Sequence, residues 1–176
     1  METERLVIRS FSPGDWRDLH EYLSREETVK YEPYDVYSEE QSRQEAARRA
    51  ADGNFFAVCL KTPDKLIGNL YLSGQAFDAW ELGYVFNAAY LGKGYATEAV
   101  RALLGHAFRE LNARRIVAMC NPLNVRSWKL LERVGMRREG HLLKNIYFKK
   151  DKDGEPLWVD TYEYGMLASE WNGQAR

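Results

Sequence analysis

The sequence predicts one α/β domain of the α+β kind. Its core is a mixed, mostly antiparallel, twisted sheet of about seven strands flanked by about four helices. Three observations carry that expectation. Seven segments alternate or run apolar over strand-like lengths. Four others place their apolar residues at helical spacing. One succession, "WELGYVF", a long helix from Ala96 and then "RRIVAMC", needs a crossover connection and so a parallel pair within an antiparallel order. The 176 residues suffice for a single core and carry no repeat, low-complexity tract or Pro/Gly/Ser linker, so residues 1–176 read as one domain.

The elements follow in order. "RLVIRSF" alternates, with Leu6 and Ile8 on one face and Val7 on the other, and reads as a strand. "SPGDWRDLHEYLSR" spaces Trp16, Leu19 and Leu23 as a helix does. A tyrosine-rich loop, "VKYEPYDVYS", leads to "SEEQSRQEAARRAAD", an exposed helix opened by Ser38 and Gln41 at capping-box spacing. "NFFAVCL", "KLIGNLYL" and "WELGYVF" are three strands, the first two joined by a hairpin turn at "TPD". From there the period changes: Ala96, Ala99, Val100, Leu103, Leu104, Ala107, Phe108 and Leu111 share one helical face. "RRIVAMC" is a short, fully apolar strand, and "NVRSWKLLERVG" a helix with Asn124 as N-cap and Gly135 just past its end. Two long alternating strands, "GHLLKNIYFKK" and "LWVDTYEYGML", close the chain around the hairpin signal "DKDGEP".

Composition narrows the function. Net charge is −1 and the basic pairs are scattered among acids, which argues against a general nucleic-acid binder. Cys59 and Cys120 sit far apart in apolar runs, as reduced core thiols of a cytoplasmic protein do. The N-terminus "METERLVIRSF" is charged and alternating, unlike a signal peptide. No apolar run approaches the roughly 20 residues of a membrane span. No metal is expected: His20, His106 and His141 lack ligand spacing, and "DKDG" lacks the glutamate and flanking helices of a calcium loop.

The stretch "YLGKGYATEAV" places Gly92 and Gly94 between a strand and the start of a long helix. Bared amides and the positive end of the helix dipole favour an anion there, above all phosphate. A tight turn without a ligand explains a Gly-x-Gly pair equally well. A Walker loop is excluded by spacing, and a Rossmann site by Thr97 at the third position and the missing carboxylate after the next strand.

The loop resembles the acetyl-CoA diphosphate site of the GNAT acetyltransferases, written [Q/R]-x-x-G-x-[G/A]. "AYLGKG" matches at Gly92 and Gly94 and has Ala89 where Gln or Arg is usual. "YATEA" is wording common in the RimJ/RimL-like branch, "NPLNVRSWKLLERVGMRREG" resembles the family's second motif, and "WVDTYEYGMLASEW" resembles the branch's C-terminus. The resemblance implies the GNAT fold and transfer of acetyl from acetyl-CoA directly to an amine. By that likeness Leu91, Gly92, Lys93, Gly94, Tyr95, Ala96 and Thr97 surround the diphosphate. Tyr84, Val85 and Phe86 flank the pantetheine arm, with an oxyanion-binding amide near Val85 or Phe86. Asn121, Asn124 and Ser127 face the arm from beyond "IVAMC", where the two strands are expected to splay.

Such chemistry needs a base for the ammonium proton, a donor for the oxyanion and an acid for the departing thiolate. Glu81, on the strand leading into the glycine loop, is the candidate base, acting directly or through water; an exposed strand residue is the plainer reading. The family's usual tyrosine is replaced by Leu131, so Ser127, at the branch's serine position, is the candidate acid; a first-turn helix residue bonding the backbone is the alternative. Glu98 reads as a first-turn partner of the helix dipole. The resemblance places the acceptor entrance between the early helices and the C-terminal hairpin. Tyr31, Tyr34, Tyr37, Trp158 and Tyr162, with Glu32, Asp35 and Asp160, would suit a cationic amine there, and simple packing explains them as well. A protein N-terminus, ribosomal ones included, is the first acceptor candidate, and polyamines, amino acids or aminoglycosides the second. A non-catalytic acyl-CoA sensor and a nucleotide-binding module remain as other classes. The strand edges could support a homodimer.

Overall fold

The computed structural model describes residues 1–171. Its strands are β1 (Leu6–Ser10), β2 (Phe55–Leu60), β3 (Lys65–Gly74), β4 (Ala79–Phe86), β5 (Arg115–Cys120), β6 (Arg137–Lys150) and β7 (Pro156–Leu167). They form one sheet in the order β1-β2-β3-β4-β5-β7-β6. β4 and β5 are parallel, joined by the crossover through α4 (Tyr95–Arg109), and the other neighbours are antiparallel.

The two-residue period of the strands divides the core. Leu6, Ile8, Val58, Leu60, Leu70 and Leu72 pack with Leu103 and Leu104 of α4 and with Leu130 and Leu131 of α5 (Val125–Arg133). Ala57 and Cys59, one position out of step, pack with Leu19, Tyr22 and Leu23 of α1 (Trp16–Leu23), Val29 of α2 (Glu26–Val29) and Ala46 of α3 (Glu39–Ala51). Helices therefore cover both faces, and the alternation in "RLVIRSF" is observed as read: Leu6 and Ile8 are buried and Val7 is half-buried.

Local signals position the helix ends. Ser38 and Gln41 form a reciprocal capping box at the start of α3. Asn124 accepts the Ser127 amide at the start of α5, and Gly135, at φ 95°, follows its end. At the β6–β7 hairpin Asp151 accepts the amides of Asp153 and Glu155, both at 2.9 Å, and Gly154 takes φ 86°.

Three readings need correction. Leu111 lies beyond the last residue of α4 and is 36% exposed, because the helix ends at Arg109. β5 is not apolar on both faces: Ile116 and Ala118 are buried, whereas Met119 is 52% exposed. The loop before α3 is entered through an additional helical turn, α2, whose four residues are too few to show a period. Among the described residues no helix is long and apolar enough to cross a membrane.

Candidate active site

β4 and β5 pair only at Ala79–Arg115, Trp80–Ile116 and Glu81–Val117. Beyond Glu81 each strand follows its other neighbour. Leu82–Phe86 stay with β3, and Ala118–Cys120 stay with β7. The sheet therefore opens into a V, and the edge of Leu82–Phe86 that faces β5 has no strand partner among the described residues. Unpaired strand edge is a ready acceptor for an extended, amide-rich ligand.

The glycine loop closes the wide end of this V. Its root is Asn87, which is fully buried. The Asn87 amide donates to Ile67 O (2.9 Å), its Nδ2 to Glu21 Oε1 (2.8 Å), and its Oδ1 accepts the Ala89 amide (3.0 Å). Gly92 and Gly94 stand at φ 77° and 83°, in the left-handed region that an L side chain rarely takes. Gly94 is the N-cap of α4, and the first bond of that helix runs from the Glu98 amide to Gly94 O at 3.0 Å. The amides of Tyr95, Ala96 and Thr97 consequently have no acceptor within the helix. A Cβ on Gly92 would meet nothing within 4 Å, so its surroundings are open.

Arg5 and Glu98 brace this loop from behind. Arg5 Nη1 donates to Lys93 O at 3.0 Å, and its guanidinium lies 4.6 Å from the centre of the Tyr95 ring. Glu98 accepts from Thr3 Oγ1 (2.6 Å), the Arg5 amide (3.0 Å) and Arg5 Nε (2.7 Å). Burial opposes its charge, but these donors outweigh burial and hold the carboxyl below its ordinary pKa. Glu98 is thus a three-way tether as well as a first-turn acid. The Lys93 ammonium stands 5.5 Å from the Tyr90 ring, and Thr97 Oγ1 accepts from Arg133 at 3.4 Å. Leu91 links Tyr90 to Gly92, its amide bonded to Ala88 O at 3.3 Å.

Across the V, the amide oxygens of Asn121 and Asn124 are engaged by the amides of Leu123 (2.9 Å) and Ser127 (3.3 Å), and their NH2 groups have no hydrogen-bond partner among the described residues. The Tyr84 hydroxyl reaches Ser127 from β4, 3.0 Å from both its carbonyl oxygen and its Oγ. At the end of β5, burial pushes the pKa of the Cys120 thiol up to about 11. Leu131 is fully buried.

On the opposite face Tyr34 and Val85 pack on the same apolar cluster beside α1 and α3. Glu32 lies here. Burial raises its pKa to about 7, against the opposing pull of the Arg49 charge and the Tyr34 hydroxyl. Arg49 is itself buried, donating to Asn69 Oδ1 (2.9 Å) and to Glu45 (2.7 Å). The Tyr31 hydroxyl donates to Leu123 O at 3.2 Å, and Tyr34 meets Tyr37 edge-on at 5.3 Å. Trp158 is 51% exposed and packs edge-on against Tyr147 at 5.2 Å. The hairpin and the early loop meet through Lys149 and Asp35 at 2.6 Å. Asp160 is engaged within its own hairpin by His141 and the Lys144 amide. Glu81 accepts from Gln75 Nε2 at 3.3 Å, and four residues of strand, roughly 13 Å, separate it from Val85.

The geometry thus gathers the glycine loop, Tyr84–Phe86, Asn121, Asn124 and Ser127 around one opening. Glu81 sits at its apex, and Trp158 on the hairpin outside. Sequence reasoning missed the tethers Asn87 and Arg5. Nothing local marks them, because their partners lie 66 and 93 residues away.

Residues 5–137 match the family described as "Acetyltransferase (GNAT) domain". The chain is 38% identical over 172 residues to the uncharacterized N-acetyltransferase YnaD of Bacillus subtilis, covering 97% of this chain and 98% of that one. It is 30% identical over 186 residues to the [ribosomal protein uS5]-alanine N-acetyltransferase of Escherichia coli, with 97% and 92% covered. A GNAT-family acetyltransferase from Bacillus anthracis superposes with a TM-score of 0.89 at 36% identity, over 97% and 99% of the two chains. A spermidine N-acetyltransferase from Vibrio cholerae, solved with CoA and spermine, shares the fold at TM-score 0.78 and 21% identity, over 96% and 99%. The chain belongs to the GNAT family of acetyl-CoA-dependent N-acetyltransferases.

Proposed function

We propose that this protein transfers acetyl from acetyl-CoA to a primary amine lodged between the glycine loop and the α1–α3 face, with a protein N-terminus as the first acceptor class. The V between β4 and β5, closed by the bared amides after Gly94, is the observation that carries the reading. The likeness to a ribosomal-protein alanine acetyltransferase supports the acceptor class, and the half-buried Glu32 carboxylate and the tyrosines beside it suit a cation.

In this reading Gly92–Thr97 hold the diphosphate and Tyr84–Phe86 hold the arm. An amide near Val85 or Phe86 meets the oxyanion. The nitrogen attacks the thioester carbon after losing its proton, the carbon–sulfur bond breaks, and the thiolate leaves toward Ser127. Glu32 takes the amine's proton: its pKa of about 7 suits a base that must be ionised yet basic. Glu81, further along β4, acts through water. Tyr31, Tyr34 and Trp158 frame the entrance.

Thiol release from acetyl-CoA with a panel of amines tests the reading. N-terminal peptides are expected to give turnover above polyamines, amino acids and aminoglycosides. Release with polyamines alone would overturn the acceptor class, and no release with any amine would overturn the function.

A further inference from the structure

Every hydroxyl facing the departing sulfur has to be held so that its proton points outward. Ser127 is held by more than its own helix. Its amide is fixed by Asn124, and its Oγ lies 3.0 Å from the phenol of Tyr84, which comes from the strand across the opening. The phenol has one proton and two acceptors at 3.0 Å, the Ser127 carbonyl and the Ser127 Oγ. Burial raises the pKa of Tyr84, so this proton stays in place at every working pH.

We infer that Tyr84 is a positioning residue for leaving-group departure: its hydroxyl orients and polarises Ser127 so that Ser127 donates a hydrogen bond to the CoA sulfur. The inference rests on the acetyl-transfer reading above. As the carbon–sulfur bond breaks, its electron pair goes to sulfur. The phenolic proton turns from the Ser127 carbonyl to Oγ, and the Oγ proton turns to the thiolate. Each donor strengthens the next along the chain. Neither hydroxyl gives up its proton, because a buried phenol is a weaker acid than a thiol; the thiolate takes its proton from water as CoA leaves.

A phenol that only ties β4 to α5 would affect stability or CoA binding. A positioning phenol affects turnover. Tyr84→Phe removes the hydroxyl and keeps the ring. The kcat is expected to fall about 10- to 100-fold, less than the roughly 100- to 1000-fold of a donor that meets the reacting atoms itself, because Tyr84 acts through Ser127. The Kd for CoA by calorimetry and the KM for acetyl-CoA are expected to stay within about twofold. Ser127→Ala should lose at least as much kcat. The double variant should be no worse than Ser127→Ala, since two groups acting as one unit do not add. A Tyr84→Phe kcat within about twofold of wild type, losses that multiply in the double variant, or a loss confined to CoA affinity would each overturn the inference. If Tyr84→Phe does not fold, Ser127→Ala compared with Ser127→Thr carries the test: the threonine should restore kcat, and equal loss in both overturns it. A wild type that neither binds CoA nor releases thiol overturns the acetyl-transfer reading as well. An active wild type with an unaffected Tyr84→Phe overturns this inference alone.

Discussion

Arg5 and Glu98 lie 93 residues apart in sequence and 2.6 Å apart in space, and the same guanidinium holds the Lys93 carbonyl. The contact ties the start of β1 to the loop and first turn of α4, so the edge strand of the sheet braces the proposed diphosphate site. Glu98→Gln keeps the size of the side chain and removes its charge. Tm is expected to fall by the equivalent of about 1 kcal/mol, given that the pair is partly exposed, with a several-fold weaker Kd for CoA. The depressed pKa sets the sign with pH. The stabilisation is present above the ordinary glutamate pKa and is lost as pH falls through the lower folded value, so wild type and variant should converge in acid. Thermal melts across pH, with CoA calorimetry, check this.

Gly92 separates backbone strain from ligand contact. Asn tolerates the left-handed conformation better than other non-glycine residues, and a Cβ there meets no protein atom within 4 Å. Gly92→Asn should therefore change stability by less than about 1 kcal/mol. It should weaken CoA at least about tenfold, because its side chain enters the space assigned to the phosphates. Unchanged CoA affinity would move the diphosphate away from this loop. Gly94 is a less clean probe, since its φ of 83° and the Arg5 Nη2 at 3.3 Å penalise a side chain without any ligand.

Gly68 tests the wall of the opening. A Cβ there would stand 2.6 Å from Phe86 Cδ1 and 2.7 Å from Val85 O. Gly68→Ala should cost about 1–3 kcal/mol through overpacking. Because it pushes on the segment assigned to the oxyanion, it should also lower kcat more than a comparable loss of stability elsewhere. Denaturant melts and single-turnover rates read the two effects.

Glu32 makes a pH-dependent prediction. Its folded pKa lies above the unfolded value, so the unfolded chain loses this proton first as pH rises. Stability contributed by the group is present in acid and declines between about pH 4.5 and the folded value of about 7. Glu32→Gln should gain Tm relative to wild type as pH is raised through that window. In turnover, the rising limb of kcat/KM near pH 7 should vanish in Glu32→Gln. Glu81→Gln should run slower yet keep that limb. A limb that persists in Glu32→Gln and disappears in Glu81→Gln would give the role of base to Glu81.

Much of this architecture was legible because its causes are local. The alternation of Leu6, Val7 and Ile8, the capping pair Ser38–Gln41, the Asn124 cap and the stop at Gly135 depend on neighbours within a few residues. The glycine pair before α4 was legible for the same reason: positive φ at a helix entrance is a backbone demand that the sequence must meet with Gly. The opening between β4 and β5 was expected only from the family likeness, since it arises from competition between β3 and β7 for the two strands. Asn87, Arg5 and the Tyr84–Ser127 pair depend on partners distant in sequence, and a single sequence carries no sign of them. Glu32 illustrates the remaining limit: its residue type suggests a partner for a cationic amine, but the burial that raises its pKa beside Arg49 arises only in the folded chain.

A crystal structure of the protein with CoA tests the central claim most directly. The account predicts the diphosphate oxygens within hydrogen-bond distance of the amides between Gly92 and Thr97, the arm lying along Leu82–Phe86, and the sulfur beside Ser127. Coenzyme bound on another face, or a diphosphate more than about 5 Å from every one of those amides, would contradict it.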